Sequence, residues 1–124
     1  MTLRGLATAI YPVPDLTRAK AWYAKAFGLE PYFDQPFYVG FEVAGYELGL
    51  LPDENRPGPQ GVVAYWRVDD IDAAVSHFLE CGATLVNEAK DVGDGVKVAV
   101  VADPFGNSIG LIENPHFDLS KYWR

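Results

Sequence analysis

Apolar and polar positions along the chain predict short strands arranged around two helices. An apolar run over residues 6–11, followed by prolines, predicts the first strand. A helix is predicted next, because apolar residues recur there at helical spacing: Leu16, Ala19, Trp22, Tyr23, Ala26 and Phe27. Asp15 can cap its first turn and Gly28 stands at the expected end. Three strands follow, over residues 30–33, 38–43 and 46–51, with a tight turn at Ala44-Gly45.

The same order of elements begins again after residues 52–60, a proline-rich stretch that is typical of a loop. A strand is predicted over residues 62–68, and a helix runs from the cap Asp70 to Gly82. Further strands are predicted over residues 84–89, 96–102 and 108–113. The sequence from Asp103 to Asn107 predicts a turn, as does the sequence from Asp91 to Gly95.

An internal repeat underlies this order. Val13-Pro14-Asp15-Leu16 matches Val68-Asp69-Asp70-Ile71 at a constant offset, and residues 47–51 resemble residues 108–112. Each half therefore has the order β-α-β-β-β, which predicts an α+β fold. We expect one domain over residues 1–124, with module one at about 4–52, module two at about 60–115 and a C-terminal tail at 116–124. The tail holds Tyr122 and Trp123, which we expect to pack on an apolar surface.

Charge and composition narrow the possible partners. The formal net charge of the 124 residues is −7, so the surface would repel nucleic acid phosphates and an anionic membrane. The one cysteine, Cys81, cannot form an internal disulfide. The chain contains no run of about 18 apolar residues that would span a membrane. We therefore expect a cytoplasmic protein that binds neither nucleic acid nor membrane.

Two β-α-β-β-β modules, a Val-x-Asp turn before an aromatic-bearing helix, and Asp103-Pro104-x-Gly106-Asn107 before the last strand together resemble the vicinal oxygen chelate superfamily. This superfamily includes glyoxalase I, extradiol dioxygenases and bleomycin resistance proteins. The resemblance covers most of the chain. It implies two curved mixed sheets around an open cavity, helices on the outside, and a homodimer in which modules from both chains complete the site.

The resemblance also marks four positions at which the metal enzymes of the superfamily carry ligands. In this chain they are occupied by Thr8, Gly49, Val63 and Gly110. Glycine and valine offer no side-chain donor, and one threonine hydroxyl is a poor ligand for a transition metal. We therefore expect no metal and no other cofactor.

Strand alternation places other polar residues on the same face as these four positions. They are Glu47, Tyr65, Arg67 and Ser108, whereas the opposite face, which includes Trp66, is apolar. Together with Thr8 and Tyr38 they form the predicted ligand-binding set.

Two members of this set invite specific chemical interpretations. Glu47 is the candidate general base, since an apolar cavity would raise its pKa, or else a rim carboxylate that pairs with Arg67 or with water. Arg67 either clamps a ligand anion or lies solvated at the rim. We predict that Glu47 and Arg67 point into one cavity. Tyr38 and Tyr65 either stack on a ligand or form plain wall.

These features favour a metal-free protein that binds a small organic ligand, resembling the bleomycin resistance and glyoxalase-like proteins. Two enzymatic alternatives stay open. One is a metal-independent isomerase or lyase that uses Glu47 as general base. The other is a glyoxalase-type metalloenzyme with a non-standard site.

Overall fold

The computed structural model describes residues 6, 8–53 and 63–115, and in them the two-module order is complete. Module one contains β1 (Thr8–Val13), α1 (Leu16–Phe27), β2 (Phe33–Gln35), β3 (Tyr38–Val43) and β4 (Tyr46–Pro52). Module two contains β5 (Tyr65–Arg67), α2 (Ile71–Glu80), β6 (Thr84–Gly93), β7 (Val96–Ala102) and β8 (Ser108–Glu113). None of the helices in this described part is long and apolar enough to cross a membrane.

Each module forms one four-stranded mixed sheet with the same topology. The strand orders are β1-β4-β3-β2 and β5-β8-β7-β6. In both sheets the first strand runs parallel to the fourth, and the other neighbours are antiparallel. The α+β fold with two β-α-β-β-β modules is therefore confirmed, and the internal repeat corresponds to a repeated structural unit.

The tight turns predicted from sequence are present. Ala44 and Gly45 both have positive φ angles, 49° and 93°, and connect β3 to β4. Asp94 and Gly95 have φ angles of 54° and 78° and connect β6 to β7. Two successive positive φ angles match the twist of an antiparallel hairpin, which explains the glycine in each pair.

Two strand predictions in module one were misplaced. The strand predicted over residues 30–33 begins only at Phe33, because Pro31 has no N–H to donate and lies outside the ladder. The first strand extends to Val13 and includes Pro12. Proline is tolerated there because β1 is an edge strand of its sheet. Residue 7 of the predicted first strand lies outside the described residues.

Two strand predictions in module two had the wrong length. The strand predicted over residues 62–68 is confined to Tyr65–Arg67, although the bond from Gly110 N–H to the Ala64 carbonyl continues the pairing. The strand predicted over residues 84–89 continues to Gly93, because bulges let β6 follow β7 through three shifts of register. The predicted strand start at residue 62, most of the 52–60 loop and the 116–124 tail lie outside the described residues.

Both helices begin at the predicted aspartates. The Asp15 carboxylate accepts the Arg18 N–H at 3.1 Å, and the Asp70 carboxylate accepts the Ala73 N–H at the same distance. Gly28 ends α1 in the left-handed conformation, with a φ of 68°. The second helix is capped by Cys81, one residue before the predicted Gly82.

One continuous core joins the two modules on the helix side of the sheets. The indole N–H of Trp66 donates to the Tyr11 hydroxyl at 2.9 Å, and the Trp66 ring packs against Phe27. The buried Asp103 carboxylate accepts the Tyr23 hydroxyl at 2.6 Å. These contacts hold β1 and α1 of module one against β5 and the 103–107 turn of module two.

Candidate functional site

The two faces of each sheet differ as strand alternation requires. Leu48 and Leu50 in β4 and Ile109 and Leu111 in β8 are fully buried in the core. Glu47 lies beside Thr8 in the parallel β1–β4 pair, and both point to the other face. We call the face of the module one sheet that carries Glu47 the open face of module one. The corresponding surface of the other sheet is the open face of module two.

Glu47 is the centre of a hydroxyl cluster on the open face of module one. Its Oε1 accepts hydrogen bonds from the Tyr38 hydroxyl at 2.6 Å and from the Thr8 hydroxyl at 3.2 Å. Its Oε2 accepts a hydrogen bond from the Tyr32 hydroxyl. Three different segments therefore supply donors to one carboxylate: β1, the residues before β2, and β3. We call Thr8, Tyr32, Tyr38 and Glu47 the Glu47 cluster.

Two glycines make room for this cluster. Gly40 and Gly49 face each other in the β3–β4 pair. A Cβ on Gly49 would lie 2.6 Å from Cζ of Tyr38 and closer still to its hydroxyl oxygen, and a Cβ on Gly40 would lie 2.8 Å from Oε2 of Glu47. Any other residue at either position would displace the cluster. The Tyr38 hydroxyl thus occupies the space that a side chain at position 49 would need.

The hydrogen bonds decide the charge of Glu47. Partial burial acts to raise its pKa, but the hydroxyls of Tyr32, Tyr38 and Thr8 stabilise the ionised form, and together they lower the pKa below its usual range. The expectation that an apolar cavity raises this pKa was therefore wrong. Burial and the neighbouring Glu47 charge raise the pKa of Tyr38, so its hydroxyl keeps its proton. At neutral pH the cluster consists of one carboxylate and three neutral hydroxyls.

Aromatic rings border the Glu47 cluster. The Phe33 ring lies 6.0 Å from the Phe37 ring and 6.1 Å from the Tyr38 ring, centre to centre, in edge-to-face arrangements. Phe37 and Tyr32 are each 63% exposed. This side of the cluster therefore presents ring faces and edges that a planar molecule could contact.

The open face of module two carries different groups. A Cβ on Gly110 would lie 2.6 Å from the Tyr65 ring and 2.7 Å from the Ala64 carbonyl oxygen, so Tyr65 covers this glycine. A hollow of about 570 Å³ adjoins Tyr65 and is lined by residues of β6 and β7, among them Val86, Lys90 and Val98. Of the predicted ligand-binding set, Tyr65 belongs to this hollow.

Arg67 and Ser108 belong to β5 and β8 of the module two sheet. Arg67 lines a smaller depression of about 180 Å³ together with Asp69, Glu113 and Asn114. Neither of the two hollows includes Glu47, whose side-chain partners are the three hydroxyls. The structure therefore brings together Thr8, Tyr38 and Glu47, and it places Tyr65, Arg67 and Ser108 on the other sheet. The prediction that Glu47 and Arg67 point into one cavity stays a prediction.

The residues at the four implied ligand positions do not fit a metal ion. Gly49 and Gly110 have no side chain, and tyrosines occupy the space beside both. Thr8 donates its hydroxyl hydrogen to Glu47. Val63 carries an apolar side chain. Among residues 8–53 and 63–115 no group of three or more His, Cys, Asp or Glu is placed to hold a metal.

Tyr32 was not predicted as a site residue. Residues 30–33 were expected to form a strand, whereas Tyr32 lies just before β2. Its N–H donates to the Gly40 carbonyl at 3.0 Å, which aligns the ring over the β3–β4 pair. Two glycines inside neighbouring strands, Gly40 and Gly49, were the available signal, since glycine in a strand interior often marks a close approach. They do not show which side chain approaches.

Residues 5–111 match the model of the Glyoxalase/Bleomycin resistance protein/Dioxygenase superfamily. The chain belongs to this superfamily. The matched residues include both modules and end inside β8, one position beyond Gly110. The resemblance drawn from the internal repeat and the two turn motifs is therefore confirmed.

Two mycobacterial members of the superfamily, from Mycobacterium bovis and Mycobacterium tuberculosis, carry the name "Putative glyoxylase CFP32". Each is 32% identical over 109 aligned positions, which cover 78% of this chain and 41% of the relative. The chain thus spans about two-fifths of the length of these relatives.

Solved structures of other superfamily members share the fold. A glyoxalase-related enzyme from Fulvimarina pelagi superposes with a TM-score of 0.75 at 21% identity, over 91% of this chain and 90% of that one. A superfamily member from Sphaerobacter thermophilus superposes with a TM-score of 0.72 at 25% identity, over 90% and 98%.

Proposed function

We propose that this protein is a metal-independent, cytoplasmic small-molecule-binding protein that takes its ligand on the open face of module one, at the Glu47 cluster. One observation carries the proposal. The space beside Gly49 is filled by the Tyr38 hydroxyl, and that hydroxyl is bonded to Glu47. At this position the superfamily's metal ligand is thus replaced by an organised set of hydrogen-bonding groups beside exposed aromatic rings.

Binding is better supported than catalysis by Glu47. A general base works best when its pKa lies near the working pH. The three hydroxyls act in the opposite direction, because they lower the pKa of Glu47 and occupy both of its oxygens. A metal-independent isomerase or lyase would have to use the one lone pair of Oε2 that these hydroxyls leave open.

We also propose that the protein is a homodimer, with Thr8, Tyr38 and Glu47 on one side of the ligand and Tyr65, Arg67 and Ser108 available from the other sheet. Large apolar side chains on the open faces support this arrangement: Ile10, Leu51 and Tyr65 are exposed to 55%, 37% and 48%. A second chain would cover such surface. Light scattering at micromolar concentration should give twice the 13.7 kDa chain mass, and a monomer mass would contradict this part of the proposal.

The binding site can be tested with chelator-treated protein labelled with ¹⁵N. A library of planar fragments is screened by NMR, and hits should shift the amide signals of Gly40 and Gly49. Adding zinc or nickel should leave these shifts unchanged. Replacing Tyr38 with Ala should abolish most hits, whereas Leu79→Ala, at an exposed position of α2 outside the proposed site, is the control and should keep them. Hits that need a metal, or that do not respond to Tyr38→Ala, would contradict the proposal.

A further inference from the structure

The number of hydrogens on each group fixes which group donates in every hydrogen bond of the Glu47 cluster. Ionised Glu47 has no hydrogen to give, and each of the three hydroxyls has only one. Tyr32, Tyr38 and Thr8 all donate that hydrogen to Glu47. No polar side chain of the cluster therefore keeps a hydrogen for a ligand, while the phenol, threonine and carboxylate oxygens keep unused lone pairs.

A second carboxylate adds another hydrogen-bond acceptor to the same face. Glu42 lies directly across from Glu47 in the β3–β4 pair and points to the same face. Its Oε1 accepts the Gly45 N–H at 3.0 Å, which fixes the side chain at the hairpin end of the strands. An approaching molecule thus meets oxygen acceptors at the cluster and a further acidic group beside it.

We infer that the site selects ligands by hydrogen-bond polarity. It binds groups that carry N–H donors, such as an amidinium or a protonated amine on a planar body. It rejects carboxylates and other anions. The inference rests on the proposed function, because it names the ligand class of the same face. The aromatic rings at Tyr32, Phe33 and Phe37 suit the planar body. A carboxylate in the same place would meet only lone pairs and negative charge.

Two probes of nearly equal shape and opposite polarity test the inference. Benzamidinium and benzoate are titrated into ¹⁵N-labelled protein at pH 7, and the Gly40 and Gly49 amide signals report occupancy of the face. We expect benzamidinium to bind at least about tenfold more tightly than benzoate, the effect of one charge-assisted hydrogen bond. Equal or tighter binding of benzoate would overturn the inference. If neither probe shifts these signals up to solubility, the site itself is wrong and the proposed function fails with it.

Paired variants separate hydrogen-bond polarity from net charge. Glu47→Gln should weaken benzamidinium about tenfold, because it removes the ionised acceptor and frees the hydroxyls to turn. Glu42→Gln removes the same charge from the neighbouring position and should change the affinity less than about threefold. Similar losses in both variants would assign the preference to charge alone and overturn the inference.

Circular dichroism shows whether Glu47→Gln is folded. If it is not, a third variant, Tyr32→Phe, tests the same inference. Tyr32→Phe retains the Glu47 charge and vacates a lone pair of Oε2. It should keep or increase the preference for benzamidinium. Loss of that preference in Tyr32→Phe would contradict the inference.

Discussion

The two modules share a topology but differ in how they fill the same position of the fourth strand. In module one Tyr38 reaches Gly49 from β3, and its hydroxyl continues to Glu47. In module two Tyr65 covers Gly110 from β5, its partner in the parallel pair. Where module one has Glu47, the internal match places Ser108 in module two. One fold, with glycine at the same place in both halves, therefore supports a polar cluster in one half and an aromatic cover in the other.

Alanine substitutions at Gly110 and Gly49 should cause the largest losses of stability, and the two losses should be unequal. Gly110→Ala forces its new methyl against the Ala64 carbonyl as well as the Tyr65 ring, so the backbone must shift. We expect a loss of about 2–3 kcal/mol in the free energy of unfolding. Gly49→Ala meets the end of the Tyr38 side chain, which can turn away, and should cost only about 1–2 kcal/mol through the lost bond to Glu47.

Urea unfolding measures both losses. Neither glycine has a positive φ, so backbone strain does not confound the comparison. The order of the two losses is the informative result. A larger loss for Gly49→Ala would mean that the Tyr38 ring is held more rigidly than the backbone beside Gly110. It would also contradict the view that module one is adapted for contacts on its open face.

A smaller effect is expected on the pH dependence of stability. The folded pKa of Glu47 lies below its unfolded value of about 4.3, so its ionisation stabilises the protein above that pH. This contribution is lost as the pH falls through the folded pKa. Wild type should therefore melt at a higher temperature than Glu47→Gln at pH 7, and the difference should shrink towards pH 3. A difference that grows on acidification would contradict the assigned hydrogen bonds.

The double variant Tyr32→Phe/Tyr38→Phe is the control for this pH effect. It keeps the Glu47 carboxylate and removes two of its three hydroxyl donors. The pKa of Glu47 should then rise towards its usual range. The difference in melting temperature between neutral and acidic pH should therefore be smaller than in wild type. An unchanged pH dependence would show that another group titrates.

The fold could be predicted from sequence because its signals repeat. The Asp15 and Asp70 caps, the Ala44-Gly45 turn and the alternation around Leu48 all depend on local chemistry, and the repeat made each half a check on the other. Alternation also gave Glu47 and Thr8 the same face, and in the structure they are neighbours in the β1–β4 pair. Errors fell at strand ends such as Phe33, where the neighbouring strand decides the length of pairing.

The charge of Glu47 could not be predicted in the same way. Alternation shows which face a side chain points to but not which distant side chains reach it. The pKa of Glu47 depends on Tyr32 and Tyr38, which approach from an irregular segment and from β3. Arg67 was predicted to share a cavity with Glu47 because alternation gives both residues the same face type. It lies in β5 of the other sheet, and the shared cavity stays a prediction.

We propose that tyrosine and threonine hydroxyls around Glu47 take the place of metal ligation in module one. Elemental analysis of protein that was expressed in metal-supplemented medium, purified without chelator and dialysed tests it most directly. We expect well under one equivalent of zinc, nickel, iron or manganese per chain. One equivalent that survives dialysis in wild type and is lost in Glu47→Gln would contradict the claim, and it would make Glu47 a metal ligand.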